Sequence, residues 1–146
     1  MDILFIKFAQ ICMMIGLATS LSPSQASVHD ALNADRAQAG LASLPVQANV
    51  QHKAQAWAEQ LAREDRLHHS TLTDNINTNR WCVLGENVGY GPTSLGAQNI
   101  EVAYMNSPKH RDNILRGDWT GVGVGYATTA DGSRIYTVQV FIKDTC

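Results

Sequence analysis

Few side chains in this 146-residue chain can do chemistry. Its histidines are His29, His52, the adjacent pair His68-His69, and His110. Two neutral imidazoles brought together can ligate Zn²⁺ or a similar borderline divalent metal. A carboxylate beside them has three possible roles: third ligand, orienting partner for an imidazole, or base toward metal-bound water. Nucleophile signatures are missing: the sequence holds no Gly-x-Ser-x-Gly and no His-Glu-x-x-His. There is therefore no positive argument for a hydrolase and no residue to single out as catalytic.

The cysteines are Cys12, Cys82 and Cys146. Cys12 lies in an N-terminal stretch that reads as a targeting segment over residues 1–26. Lys7 supplies a thin positive region, Phe8 to Leu21 is mostly apolar, and Ser24 and Ala26 stand like the small residues of a cleavage site. About 14 apolar residues fall short of the ~20 that a spanning helix needs. Cleavage is thus expected over retention as an anchor, leaving a domain over residues 27–146. An export segment implies an extracellular or periplasmic, oxidising compartment. The two cysteines left are then expected to form a Cys82–Cys146 disulfide, with free thiols or an intermolecular bridge as the alternatives.

The elements that must position these groups follow from periodicity. Ser27-Val28-His29-Asp30 has capping-box spacing, and a helix is expected from there to about Ala39, with Gly40 as its stop. Val50, Ala54, Trp57, Ala58 and Leu61 make one apolar stripe on a helix over 48–66, with Trp57 read as a core anchor. His52 and Lys53 fall mainly on the other side, and His29 and His52 are expected to be solvated. From Leu67 to Tyr90 periodicity lapses, which reads as a long loop. A third helix is expected from Pro92-Thr93-Ser94 through Tyr104. A fourth is capped by Ser107, begins at Pro108 and stops at Gly117. Thr120, Val122, Val124 and Tyr126 then alternate with Gly121, Gly123 and Gly125, a strand whose glycine face admits a close backbone neighbour. Asp131-Gly132 turns into a strand over 135–143 that is apolar on both faces. Helices followed by a hairpin covered on both sides predict an α+β, three-layer α-β-α sandwich with four helices and a small antiparallel sheet.

Five segments, in order, resemble the CAP superfamily of cysteine-rich secretory proteins, antigen 5 and plant pathogenesis-related proteins of group one. They are Leu32-Asn33-Ala34-Asp35-Arg36 with Gly40-Leu41; His69-Ser70; Gly85-Glu86-Asn87-Val88; Met105 to Leu115, close to the bacterial form; and Gly121 to Tyr126 with Tyr136 to Phe141. The family's fold is an α-β-α sandwich. Its cleft holds two histidines and two acids, which the resemblance carries onto His69, Glu86 and His110. The second acid does not transfer. Tyr104 takes the place of an aromatic residue that the acid follows by three, and Ser107 stands there instead; Glu101 lies on the wrong side of Tyr104. His68 adjoins His69, but the pattern puts the ligand directly before serine.

The resemblance implies a metal set of His69, Glu86 and His110, with zinc or another divalent cation accepted but not required. It implies a secreted binding module, for a lipid or sterol or for a cell-surface partner, with a metal-dependent hydrolase as the alternative. Arg111 and Asn113 are expected to brace the fourth helix, and Asn87 and Gln139 to make structural hydrogen bonds. A net charge of −2 without a Lys/Arg run excludes an electrostatic footprint for nucleic acid.

Overall fold

The computed structural model describes residues 20–146, so most of the expected targeting segment, residues 1–19, lies outside the described residues. The element order is α1 (Pro23–Gln38), α2 (Ala48–Glu64), β1 (Val83–Pro92), a 3-10 turn (Thr93–Leu95), α3 (Ala97–Met105), α4 (Pro108–Ile114), β2 (Gly121–Thr128) and β3 (Arg134–Lys143). The strands form one antiparallel sheet in the order β1-β3-β2.

Alternation along the central strand β3 explains the layers. Tyr136, Val138, Val140 and Ile142 pack with Val50, Ala54, Ala58 and Leu61 of α2. Ile135 and Phe141 point the other way, into a cluster with Val28 and Leu32 of α1, Ile100 and Tyr104 of α3, and Ile114 of α4. The molecule is therefore the expected α-β-α sandwich, in which, among the described elements, α2 alone covers one face.

The glycine face of β2 is what lets α2 lie so close. A Cβ on Gly123 would stand 2.4 Å from the Val50 carbonyl oxygen, and one on Gly125 only 2.1 Å from that of Ala54. Gln51 seals the contact: its side-chain amide donates to the Val124 carbonyl and accepts from the Val124 N–H, both at 2.8 Å.

Several boundaries differ from expectation. The helix expected to open at Ser27 begins at Pro23. Ser22 is its cap and forms the capping box with Gln25, so Ser27 lies one turn inside. The segment read as loop to Tyr90 contains β1, which starts at Val83 and carries Gly85-Glu86-Asn87-Val88. The third helix starts at Ala97 rather than Pro92, after the 3-10 turn. The fourth ends at Ile114. Lys53, expected on the solvent side, is 3% exposed, because the chain after α2 folds back over it. Trp57 is half-buried at the cluster's edge, where its indole N–H donates to the His68 carbonyl. His29 is half-buried and bonded to the Leu44 carbonyl at 2.8 Å, whereas His52 is exposed as expected.

The Cys82–Cys146 disulfide is present, with the two Cα atoms 5.7 Å apart. It closes the end of the β1–β3 ladder, where Val83 pairs with Lys143 and the Cys82 N–H donates to the Lys143 carbonyl.

Candidate functional site

Three separate elements bring His69, Glu86 and His110 to one cavity. The end of α2 comes first. Asp65 takes a left-handed conformation (φ 45°) that ends the helix, and its carboxylate accepts from Arg134 and from the Tyr136 hydroxyl on β3. The chain leaving α2 is thus fixed to the sheet. His68 turns back onto the helix: its ring meets the Glu64 carboxylate at 2.6 Å and stands edge-on to Trp57. His69 turns the other way. Lys53 holds the following turn by donating to the carbonyls of Thr71 and Asp74, both at 2.8 Å. Burial lowers its pKa, while Glu86 and Asp74 act in the opposite sense.

Glu86 comes from the edge strand β1, and its side chain is only 3% exposed. One oxygen, Oε1, accepts from His69 Nδ1 at 2.8 Å and from the Ser70 N–H at 3.0 Å. The other, Oε2, accepts from the Ser70 hydroxyl at 2.5 Å. The carboxylate is therefore a clamp on the His69-Ser70 backbone. Because a carboxylate oxygen only accepts, the neutral His69 ring that makes this bond carries its proton on Nδ1 and has its lone pair on Nε2.

His110 is supplied by the first turn of α4. Ser107 has the backbone of a cap, but its side chain makes no cap bond; its hydroxyl meets His110 Nδ1 at 2.7 Å. The ring rests on Tyr104, centroids 5.1 Å apart. Burial, and the nearby His69, hold the His110 imidazole below the ordinary histidine value. Where an acid was sought three residues after the aromatic, the Ser107 hydroxyl, which can either accept from or donate to Nδ1, holds the second imidazole.

The cavity, about 570 Å³, is lined by His69, Glu86, Asn87, Ser107, Pro108, Lys109, His110 and Asn113. Asn113 donates to the Asn87 side-chain oxygen at 2.9 Å and to the Glu86 carbonyl at 3.3 Å, so it joins α4 to β1. Asn87 in turn donates to the His110 carbonyl and to Gln139. These are the structural bonds expected of Asn87 and Gln139. Arg111 is exposed. Sequence reasoning missed Ser70, Lys53 and the positive role of Ser107. The serine directly after His69 was the available signal for the first.

As a metal centre the cluster offers two imidazole nitrogens. Among the described residues no group of three His, Cys, Asp or Glu is placed to hold a metal ion. Glu86 Oε1 accepts from His69 and from Ser70, an arrangement in which Glu86 orients the His69 ring.

Comparison with known proteins settles the family. The model of the cysteine-rich secretory protein family, CAP, matches residues 29–141. The chain belongs to the CAP family. Among curated proteins, the uncharacterized protein YkwD of Bacillus subtilis (strain 168) is 27% identical over 132 residues, 86% of this chain and 49% of that protein. The chain thus spans about half the length of the curated relative it matches. Among solved structures, an outer surface protein from Borrelia burgdorferi superposes with a TM-score of 0.70 at 19% identity, covering 81% of this chain and 90% of that one. An extracellular protein containing an SCP domain from Bacillus anthracis str. Ames gives a TM-score of 0.63 at 20% identity, over 86% of this chain and 45% of the other. These likenesses establish the CAP fold. Among the described residues no helix is long and apolar enough to cross a membrane.

Proposed function

We propose that this CAP domain is a secreted, non-enzymatic binding module whose cleft presents His69 Nε2 and His110 Nε2 to a ligand. The observation that carries the reading is the state of Glu86. Its oxygens already accept from His69 and twice from Ser70, so the group that a hydrolase would use as base serves as a brace. Two structural neighbours, an outer surface protein and an extracellular protein, support an extracellular setting. The ligand is a lipid or sterol, or a group on a cell-surface partner; the exposed lining of the cavity is mostly apolar, which suits the apolar part of either.

A divalent cation would be held by the two Nε2 atoms, with Glu86 and Ser107 fixing the rings behind them. When bound, such a cation supplies Lewis acidity to whatever completes its coordination. The alternative, a metal-dependent hydrolase, requires Glu86 to leave Ser70.

Calorimetric titration of Zn²⁺ into the purified protein tests this, with peptide hydrolysis followed in parallel. The expected result is heat-detectable binding that is lost in a His69→Ala/His110→Ala pair, with no turnover. Turnover that disappears in the same pair would overturn the non-enzymatic reading. Zn²⁺ binding unchanged in the pair would remove these imidazoles from the site.

A further inference from the structure

Behind the cleft wall a line of buried polar side chains crosses the sandwich, and it ends on a carboxyl group that the cleft does not use. Glu101 of α3 is 3% exposed, and its Oε1 is buried with no hydrogen-bond partner among the described residues. Its Oε2 accepts from Gln139 at 2.6 Å. Gln139 accepts from Asn87, and Asn87 accepts from Asn113 in the cleft wall. Each amide in this line has its orientation fixed by the next. Gln139 must offer its N–H₂ to Glu101, because its oxygen already faces the Asn87 donor. Oε2 is thus an acceptor, and any proton on the carboxyl sits on Oε1.

The neighbour on that side is another acid. Asp35 of α1 stands against Glu101, and two carboxylates cannot both be ionised at close range without a large penalty. The other charged or titratable groups around the pair are engaged. Arg36, 1% exposed, donates to the carbonyls of Ala42, Ile114 and Arg116. The Tyr104 hydroxyl is on Thr137, Glu86 holds His69 and Ser70, and His110 is on Ser107. On α1 His29 is bonded to the Leu44 carbonyl, and at the ends of β3 Arg134 and Lys143 pair with Asp65 and Asp118. Among these described groups no cation is left to neutralise Glu101.

We infer that Glu101 is a built-in proton sensor: as a neutral acid it donates from Oε1 to Asp35 and locks α1 to α3, and its ionisation is passed through Gln139 and Asn87 to the cleft wall. Burial, and then the Asp35 charge, push the Glu101 carboxyl up to about 8 against the opposing effect of Gln139. The folded state therefore holds a proton that the unfolded chain has already lost at the ordinary carboxyl value. Stability conferred by that proton is full at acid pH, declines as pH rises, and is gone above about 8. A loss of grip between α1 and α3 at mildly alkaline pH follows. The inference is independent of what the cleft binds.

Thermal unfolding from pH 6 to pH 9.5, compared between the native chain and Glu101→Gln, is the first test. Glutamine reproduces the neutral acid, accepting from Gln139 and donating to Asp35. The native midpoint is expected to fall by roughly 10 °C over that range, and that of the variant to stay nearly level. Parallel curves would overturn the inference. Carbon NMR of the Glu101 carboxyl in the native protein is the second test and needs no variant. A titration centred near 8, with the Asn87 side-chain amide signals moving at the same midpoint, supports the inference. Titration in the ordinary carboxylate range, or Asn87 signals indifferent to it, refutes it.

Discussion

Replacing Glu86 with alanine should loosen the cleft far more than replacing it with glutamine. In the native protein the carboxylate accepts three hydrogen bonds, and the side chain is 3% exposed. The bond from His69 adds little to stability, because that ring is 62% exposed and its partner competes with water. The two bonds from Ser70 count for more. A hydrogen bond to a charged acceptor in a part-buried site is worth about 1.5–3 kcal/mol, and alanine leaves the Ser70 N–H without a partner. Glu86→Ala should therefore cost about 3–5 kcal/mol. In Glu86→Gln the amide oxygen can keep the Ser70 N–H while its nitrogen donates to the Ser70 hydroxyl, so the loss falls to about 1 kcal/mol. Urea unfolding measures both values. Hydrogen exchange at the Ser70 amide separates a local effect from a global one, since that proton should lose protection in the alanine variant before the β3 amides do. Equal stability of the two variants, or unchanged Ser70 protection in Glu86→Ala, would refute the clamp.

The rest of the architecture gives sharper contrasts. Gly125→Ala places a Cβ 2.1 Å from the Ala54 carbonyl oxygen and forces α2 off the sheet, an overpacking cost of about 3 kcal/mol, whereas Gly117→Ala meets only a Leu41 methyl at 3.7 Å and should be near neutral; paired denaturation curves decide. A Cys82→Ser/Cys146→Ser variant opens a cross-link of 64 residues' separation, which the chain-entropy model values at about 4 kcal/mol, so its urea midpoint should drop to that of the reduced native protein. Lys53→Met keeps the buried stem but abandons the Thr71 and Asp74 carbonyls; about 2–3 kcal/mol of stability should go, and the Asp74 amide, which donates to Thr71, should exchange faster.

Much of this was legible in the chain because it follows from single-element patterns. The stripe on α2 and the glycine face of β2 each announce the other, and the two-sided apolar run of β3 announces a covered central strand. The edge strand β1 was not legible. Gly85, Gly89 and Gly91 interrupt it, and its middle residues, Glu86 and Asn87, are both polar yet buried on opposite faces. Its strand character comes from pairing with β3, a non-local fact. Lys53 was misplaced for a related reason: helical periodicity knows only the helix, and the segment that covers Lys53 arrives later in the chain. Of the site, the motif resemblance placed His69, Glu86 and His110 in one cleft. The division of labour among them depends on where Ser70 and Ser107 sit, and that required side-chain geometry. The capping box at Ser27 was a spurious match of spacing, outcompeted by the better box of Ser22 and Gln25 with Pro23 at the first helical position.

Glu86 fixes the neutral His69 ring with Nδ1 protonated, which leaves Nε2 as an acceptor. A long-range proton–nitrogen correlation spectrum of the histidine side chains at pH 8 reads the tautomer directly. A protonated Nδ1 and an unprotonated Nε2 are expected for His69, reverting to a mixture in Glu86→Ala. A His69 ring protonated on Nε2 in the native protein would contradict it, because the Glu86 bond would then be absent and the cleft would present a donor where a ligand-binding lone pair is required.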